Sequence, residues 1–353
     1  MRFVKLAAAD LNQIPFAWQN NKRNILNAIE EARGLGVSIL CLPELSITGY
    51  GCDDDFFRPD LQKMSWKVLQ EILPYTKGMV VTAGLPLLHK NKIYNCAAMV
   101  VDGKICGFVA KKTLANDGIH YEARQFEAWP DDVVEQFEKE GNTYPLGDVY
   151  FRVDDLSIGF EICEEAWKGK REGAELSVRA VDIIVNPSAS HFSFGKMNTR
   201  KRLVLEGSRA FGVTYVYVNM LGNEAGRVIY DGGTMIAQGG KMIAQGRRFS
   251  YNDYLLTVGL VDVEYTRMTQ SRTASFKPEI LEKNWEAKDR HDERCVHVNW
   301  FRFPAIAPEL VPAVELESWE ESATAKEEEF ARAISLGLFD YLRKSRSNGF
   351  MLS

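Results

Sequence analysis

The sequence predicts a layered α/β fold built on mixed β-sheets, and three observations carry that prediction. Continuous apolar runs of strand length alternate with amphipathic stretches, the pattern of sheets covered on both faces. Two hairpin signals, Asp102-Gly103 within 94–109 and Gly239-Gly240 within 233–245, call for antiparallel or mixed pairing. No Gly-x-Gly-x-x-Gly follows the first strand and no Walker-type phosphate loop is present, so a dinucleotide-binding fold has no support.

Taken in order, residues 3–9 read as a short buried strand. Asn21 to Gly36 reads as a helix, with Ile25, Ala28, Ile29 and Ala32 on one face and a closing glycine. Val37–Leu42 and Met79–Leu88 are continuous apolar runs, followed by the hairpin of 94–109. Further strands are expected at Val149–Val153, Leu156–Ile162, Val181–Val185, Val213–Asn219 and Leu255–Val261, with helices near 60–73 and 196–211. Residues 264–323 are charged and proline-containing with little periodicity, and read as a connector. A last helix is expected from Thr324, which makes a capping-box pattern with Glu327. Its apolar stripe is Phe330, Ile334, Leu338, Tyr341 and Leu342, and Asn348-Gly349 should end it before a buried strand beginning at Phe350.

Composition narrows the function classes. The 353 residues carry 43 Lys and Arg against 48 Asp and Glu, a formal charge of −5, with 46% hydrophobic residues. These values exclude a disordered chain and argue against nucleic-acid binding through a general basic surface. No run of about 18 apolar residues occurs, so no membrane span is expected. The N-terminus lacks a secretory pattern and the six cysteines are widely spaced, so a cytoplasmic protein with reduced thiols is expected. No Cys-x-x-Cys pair is present and no metal site is expected. At about 150 residues per domain, the length alone suggests two domains.

Three ionisable residues end buried strands: Glu44 after Leu-Cys-Leu-Pro, Lys111 after Ile-Cys-Gly-Phe-Val-Ala, and Cys163 after Leu-Ser-Ile-Gly-Phe-Glu-Ile. Strand ends are where α/β architectures place their sites. Singly, each has a plain structural reading: a loop glutamate, a solvated lysine edge beside Lys112, a packed thiol. Together they supply a base, a cation and a nucleophile. Glu161, Glu164 and Glu165 beside Cys163 should raise the thiol pKa, so a thiolate needs a base at hand. A Cys–His dyad with His120 or His191 as base is the competing arrangement.

Pro43-Glu44, Lys111-x-x-Leu114 and Glu161-Ile-Cys163-Glu-Glu-x-Trp167 resemble, in order and spacing, the three signatures of the nitrilase (carbon–nitrogen hydrolase) superfamily. The resemblance covers roughly residues 1–262. More narrowly, the chain is similar to the glutaminase domain of the glutamine-dependent NAD⁺ synthetase family. Gly49-Tyr50-Gly51, Tyr94-Asn95-Cys96, the Lys111–Gly118 segment, Asn198-Thr199-Arg200 and Tyr230-Asp231-Gly232-Gly233 carry this second likeness.

The resemblance implies a four-layer α-β-β-α sandwich with mixed sheets over residues 1–263. It implies that Glu44 is the general base, Cys163 the nucleophile forming a thioester, and Lys111 with the backbone N–H of Glu164 the oxyanion site. Glu122 takes a supporting role, against the plainer reading of a pair with Arg124. Ser190 and Lys196 are expected at the carboxylate of glutamine, and Asp117, on its charge and location alone, at its ammonium. No cofactor is expected on this chain. The resemblance further implies that residues 324–353 are the first helix and strand of a truncated synthetase domain, which would need ATP and magnesium and act in cis or in trans. Glutamine as substrate and a homo-oligomer follow from the same likeness. The alternatives are a free-standing amidase for another small amide, and a catalytically silent scaffold.

Overall fold

A computed structural model of the protein describes residues 1–116, 118–224, 226–273, 292–308 and 317–351. One eight-stranded sheet runs, edge to edge, through Tyr254–Asp262, Phe3–Leu11, Ile39–Cys41, Val80–His89, Lys92–Val101, Lys104–Ala110, Asn142–Gly147 and Val134–Lys139. A seven-stranded sheet runs through Lys241–Gln245, Met235–Gln238, Thr214–Val218, Ile183–Pro187, Leu156–Phe160, Tyr150–Val153 and Cys295–Val298. Both are mixed. Phe3–Leu11, for example, pairs antiparallel with Tyr254–Asp262 and parallel with Ile39–Cys41.

The strand alternation of side chains builds the layers. Leu6, Ala8, Ile39 and Met99 of the first sheet meet Phe151, Ile158, Ile183, Val216 and Ile236 of the second in one apolar core. Ala7, Ala9, Leu40 and Val81 point the other way, onto helices α1 (Trp18–Gly34) and α2 (Pro59–Ile72) through Ile25, Ile29, Val68 and Leu69. On the far side, Ile184, Tyr215, Tyr217 and Met235 pack against α3 (Glu172–Val178) and α4 (Lys196–Ala210) through Leu176, Met197 and Val204. The order is therefore α-β-β-α. Each fully buried aliphatic or aromatic side chain between the sheets is worth about 1.5–3 kcal/mol, and the layer beneath α1 and α2 is packed as fully.

The two expected hairpins form at their glycine turns, joining Val101 to Lys104 and Gln238 to Lys241. A third hairpin, Val134–Lys139 with Asn142–Gly147, was not anticipated. Its exposed charged positions, such as Glu138 and Glu140, hid the strand pattern. The two-stranded ribbon of Leu221–Glu224 and Val228–Asp231 was not anticipated either, its strands being only four residues long.

The stretch read as a connector is partly built into the sandwich. Helix α5 (Val263–Arg272) follows the last strand of the first sheet, and Cys295–Val298 adds a parallel edge strand beside Tyr150–Val153. Four residues are too few to show a period, which is why the strand was illegible.

The final helix, α6 (Ala325–Ser345), departs from expectation in three ways. The Thr324 side chain makes no capping bond to the helix, because its hydroxyl pairs with Ser322 at 3.2 Å. The helix ends with Arg346 in the left-handed conformation rather than at Asn348-Gly349. The expected apolar stripe of Phe330, Ile334, Leu338 and Tyr341 faces solvent, while Ala333, Leu336, Gly337 and Asp340 are buried. Polar anchoring selects that face: the Asp340 carboxylate accepts from Asn12 Nδ2 at 2.9 Å and from the Asn223 backbone N–H at 2.7 Å. Phe350 and Met351 belong to no strand and are exposed, and Leu352 and Ser353 lie outside the described residues. Among the described residues, no helix is long and apolar enough to cross a membrane.

Candidate active site

The three strand-end residues converge between the sheets. Glu44 follows the strand Ile39–Cys41 and Lys111 follows Lys104–Ala110, both in the first sheet. Cys163 follows Leu156–Phe160 in the second and opens a short helical turn, Cys163–Ala166, with φ of +45°. That left-handed backbone in a non-glycine residue is costly and is found where a turn must project a side chain.

Lys111 lies fully buried between two carboxylates. Its Nζ donates to Glu44 Oε1 at 2.6 Å and to Glu122 at 2.7 and 2.9 Å. Glu44 Oε1 also accepts from Asn95 Nδ2 at 2.7 Å, and Glu44 Oε2 accepts the Ala189 backbone N–H at 3.0 Å. The Cys163 thiol completes the set with a hydrogen bond to Glu44. Glu122 is fixed in turn by the Tyr50 hydroxyl at 2.9 Å and the Ala115 N–H at 2.7 Å. Arg124 pairs with Asp54 instead, so the plainer reading of Glu122 does not hold.

Two carboxylates and one ammonium leave one surplus negative charge in a dry site, and the titrations divide accordingly. Burial pushes the Glu44 carboxyl up to about 7, with Lys111 pulling against it. Burial also opposes ionisation of Glu122, but Lys111 and the hydrogen bonds hold it below its ordinary value. Desolvation works against the Lys111 ammonium, yet Glu122 and Glu44 keep its pKa well above that of a free lysine. The Cys163 thiol is pushed up, first by burial and then by the charge of Glu44. The rise was expected, but not its source. Glu161 is turned away, held by Arg171 at 2.6 Å and by the Gly173 N–H. Glu165 closes its own turn, accepting the Ile162 N–H at 2.5 Å and the Lys112 N–H at 2.6 Å. Burial, reinforced by Glu172, pushes Glu165 up to about 8.

The other sequence-predicted residues fall around this centre. Lys112 points away to Asp148 at 3.1 Å and to Glu172. Glu164 is half-buried on the turn after Cys163. Ser190 is buried, and its hydroxyl accepts from Arg200 at 3.1 and 3.3 Å. Lys196 opens α4, with Nζ 3.4 Å from His191 Nδ1 and 5.5 Å from the centre of the Trp167 ring. Asp117 lies outside the described residues. His120 and His191 hydrogen-bond to each other at 2.9 Å, whereas the groups that set the thiol titration are Glu44, Lys111 and Glu122. The thiol thus shares its surroundings with Glu122 and with Glu44 and Lys111, the base and cation that the strand ends supply. A cavity of about 560 Å³ opens beside the centre, its wall including Tyr50, Asp53, His120, Glu122 and Glu224. Among the described residues, no group of three or more His, Cys, Asp and Glu side chains is arranged to hold a metal ion.

Sequence reasoning did not assign roles to Asn95, Tyr50 and Arg200. Asn95 was detectable as a lone amide in an otherwise apolar strand, where burial demands a hydrogen-bond partner. Arg200 is fully buried against Asp231 at 2.7 Å and the Ser190 carbonyl at 2.7 Å, which fixes the floor under Ser190.

A sandwich of two mixed sheets with glutamate, lysine and cysteine meeting at their strand ends defines a class of amide-bond hydrolase. Residues 5–271 match the carbon–nitrogen hydrolase family, and the chain belongs to it. The glutamine-dependent NAD⁺ synthetase of Oryza sativa subsp. indica is 32% identical over 365 residues, covering 100% of this chain and 48% of the relative. A crystal structure of a glutamine-dependent NAD⁺ synthetase from Cytophaga hutchinsonii superposes with a TM-score of 0.77 at 38% identity, covering 99% of this chain and 48% of that one. An amidase from Nesterenkonia sp. shares the fold with a TM-score of 0.59 at 18% identity, over 80% of this chain and 96% of its own. The chain thus spans about half the length of the synthetases it matches.

Proposed function

We propose that this chain hydrolyses the side-chain amide of glutamine, as the glutaminase part of a glutamine-dependent NAD⁺ synthetase. One observation carries the reading: a buried lysine shared by two carboxylates, one of which also holds the thiol of a cysteine on a strained turn. Glu44, with a carboxyl near 7, takes the thiol proton as Cys163 Sγ attacks the amide carbon. The thiol is far weaker as an acid than Glu44, so proton loss and S–C bond formation run together rather than through a resting thiolate. Lys111 and the backbone N–H of Glu164 receive the negative charge that grows on the amide oxygen. Glu44 then returns the proton to the departing nitrogen, releasing ammonia and leaving a thioester. Water, deprotonated by Glu44, cleaves the thioester to glutamate.

Ser190 and Lys196 are assigned to the carboxylate of glutamine in this proposal. Ammonia would pass to a synthetase unit, in cis or in trans, and ATP and magnesium would belong to that unit. The same reading carries a cytoplasmic location and self-association. The test is incubation with glutamine and, separately, with an electrophilic glutamine analogue. Release of glutamate and ammonia, with the label on the Cys163 peptide, is expected. Turnover of other small amides while glutamine is untouched would assign the chain to free-standing amidases; no turnover and no labelling would refute amide hydrolysis by this chain.

A further inference from the structure

The Glu224 carboxylate lies against the loop Gly49-Tyr50-Gly51, and at Gly49 it leaves no room for a side chain. Glu224 Oε1 accepts the Tyr50 N–H at 2.7 Å, and the Gly51 N–H bonds to the same carboxylate. A Cβ at Gly49, whose φ is +82°, would stand 2.8 Å from Glu224 Oε1. The loop is therefore wrapped on the carboxylate, and Gly49 is what lets it wrap. Tyr50 stands at the other end of the contact, because its hydroxyl donates to Glu122 at 2.9 Å and Glu122 holds Lys111.

Glu224 ends the strand Leu221–Glu224, and that strand is gripped by α6. Lys344 Nζ donates to the Asn223 carbonyl at 2.6 Å and to the Gln13 carbonyl at 3.2 Å. Asp340 accepts the Asn223 N–H, and Asn223 Nδ2 donates to the Gly337 carbonyl at 2.9 Å. Gly222, at φ +88°, leaves the space that the Asp340 carboxylate fills. The contacts form a continuous run from α6 through Asn223, Glu224 and Tyr50 to Glu122 and Lys111.

We propose that Glu224 is a positioning residue for the Glu44–Lys111–Cys163 group, acting through Tyr50 and Glu122, and that Lys344 and Asp340 of α6 hold it in place. The proposal rests on the reading of Cys163 as the nucleophile. It makes α6 a mechanical part of the catalytic centre, although none of its side chains touches the reacting atoms.

The test is the pH dependence of Cys163 alkylation by iodoacetamide, read by mass spectrometry of its peptide in the full chain, with melting temperature measured alongside. Three variants are compared: Glu224→Ala, Glu224→Gln and Lys344→Met. In Glu224→Ala the profile should shift its midpoint and the rate should fall about tenfold, the worth of one charged hydrogen bond. Glu224→Gln should lie between, since its one remaining oxygen can still accept the Tyr50 N–H. Lys344→Met should move the profile in the same direction without losing the fold. Profiles that superimpose on the parent's in all three variants overturn the proposal, as does a loss that merely follows the unfolded fraction. A shifted profile in a chain that leaves glutamine untouched would remove glutamine as the substrate and keep Glu224 in its role.

Discussion

The Glu165 carboxylate accepts the backbone N–H of Lys112 at 2.6 Å, which ties the turn carrying Cys163 to the strand end carrying Lys111. The two belong to different sheets, so this bond sets the spacing between the Cys163 thiol and the Lys111 ammonium directly. Replacing Glu165 by alanine removes an acceptor from two buried N–H groups, each costing about 1–3 kcal/mol when left unpaired. Glu165→Ala should therefore melt markedly lower and lose glutaminase kcat, and Glu165→Gln should recover part of both. A variant with parental kcat would show that the bond does not set the geometry.

On the proposed mechanism activity should rise with pH through an apparent value near 7, because Glu44 would act in its ionised form and burial holds its carboxyl there. Asn95 donates to the ionised form, so Asn95→Ala should carry this limb upward. A kcat/KM profile in glutamine reads both.

The stability signs of the two carboxylates are opposite. Glu44, raised above its ordinary value, contributes stability that is fully present below the unfolded value of about 4.3 and fades as pH rises through about 7. Glu122, lowered, contributes stability above the unfolded value and loses it as pH falls through its depressed one. Lys111→Met leaves two adjacent buried carboxylates, at a cost of about 3–5 kcal/mol near neutrality. That cost should shrink as acid protonates them, so parent and variant melting temperatures should converge toward pH 4. The same variant should lose about 10²–10³ in kcat if Lys111 holds the oxyanion.

On α6, Leu336→Ala should cost about 2–5 kcal/mol as a core truncation, because Leu336 has no solvent exposure. Ile334→Ala, at a position 45% exposed, should stay within about 0.5 kcal/mol. Chemical denaturation separates the two, and equal effects would contradict the packing of this helix.

Much of this was legible before any coordinates. Continuous apolar runs and glycine turns marked most of the central strands, because a strand buried on two faces has little compositional choice, while the two-sheet arrangement came from the family resemblance. Glu44, Lys111 and Cys163 were visible because ionisable residues interrupt such strands only at their ends. What was hidden depended on contacts remote in sequence. Phe330, Ile334 and Leu338 make a sound helical stripe, yet Asp340, satisfied by Asn12 and Asn223, turned the opposite face inward. Cys295–Val298 is too short to declare itself. Tyr50 owes its place to Glu224, 174 residues away.

The location of the reactive centre between two sheets bears on how the chain matures. Its cation comes from one sheet and its thiol from the other, and Phe3–Leu11 of the first sheet pairs with the edge strand Tyr254–Asp262 near the far end of the domain. Such long-separation pairings are the slow ones in folding. Until both sheets have docked, Cys163 therefore has neither Glu44 nor Lys111 beside it, although its exposed thiol ionises more readily than the buried one.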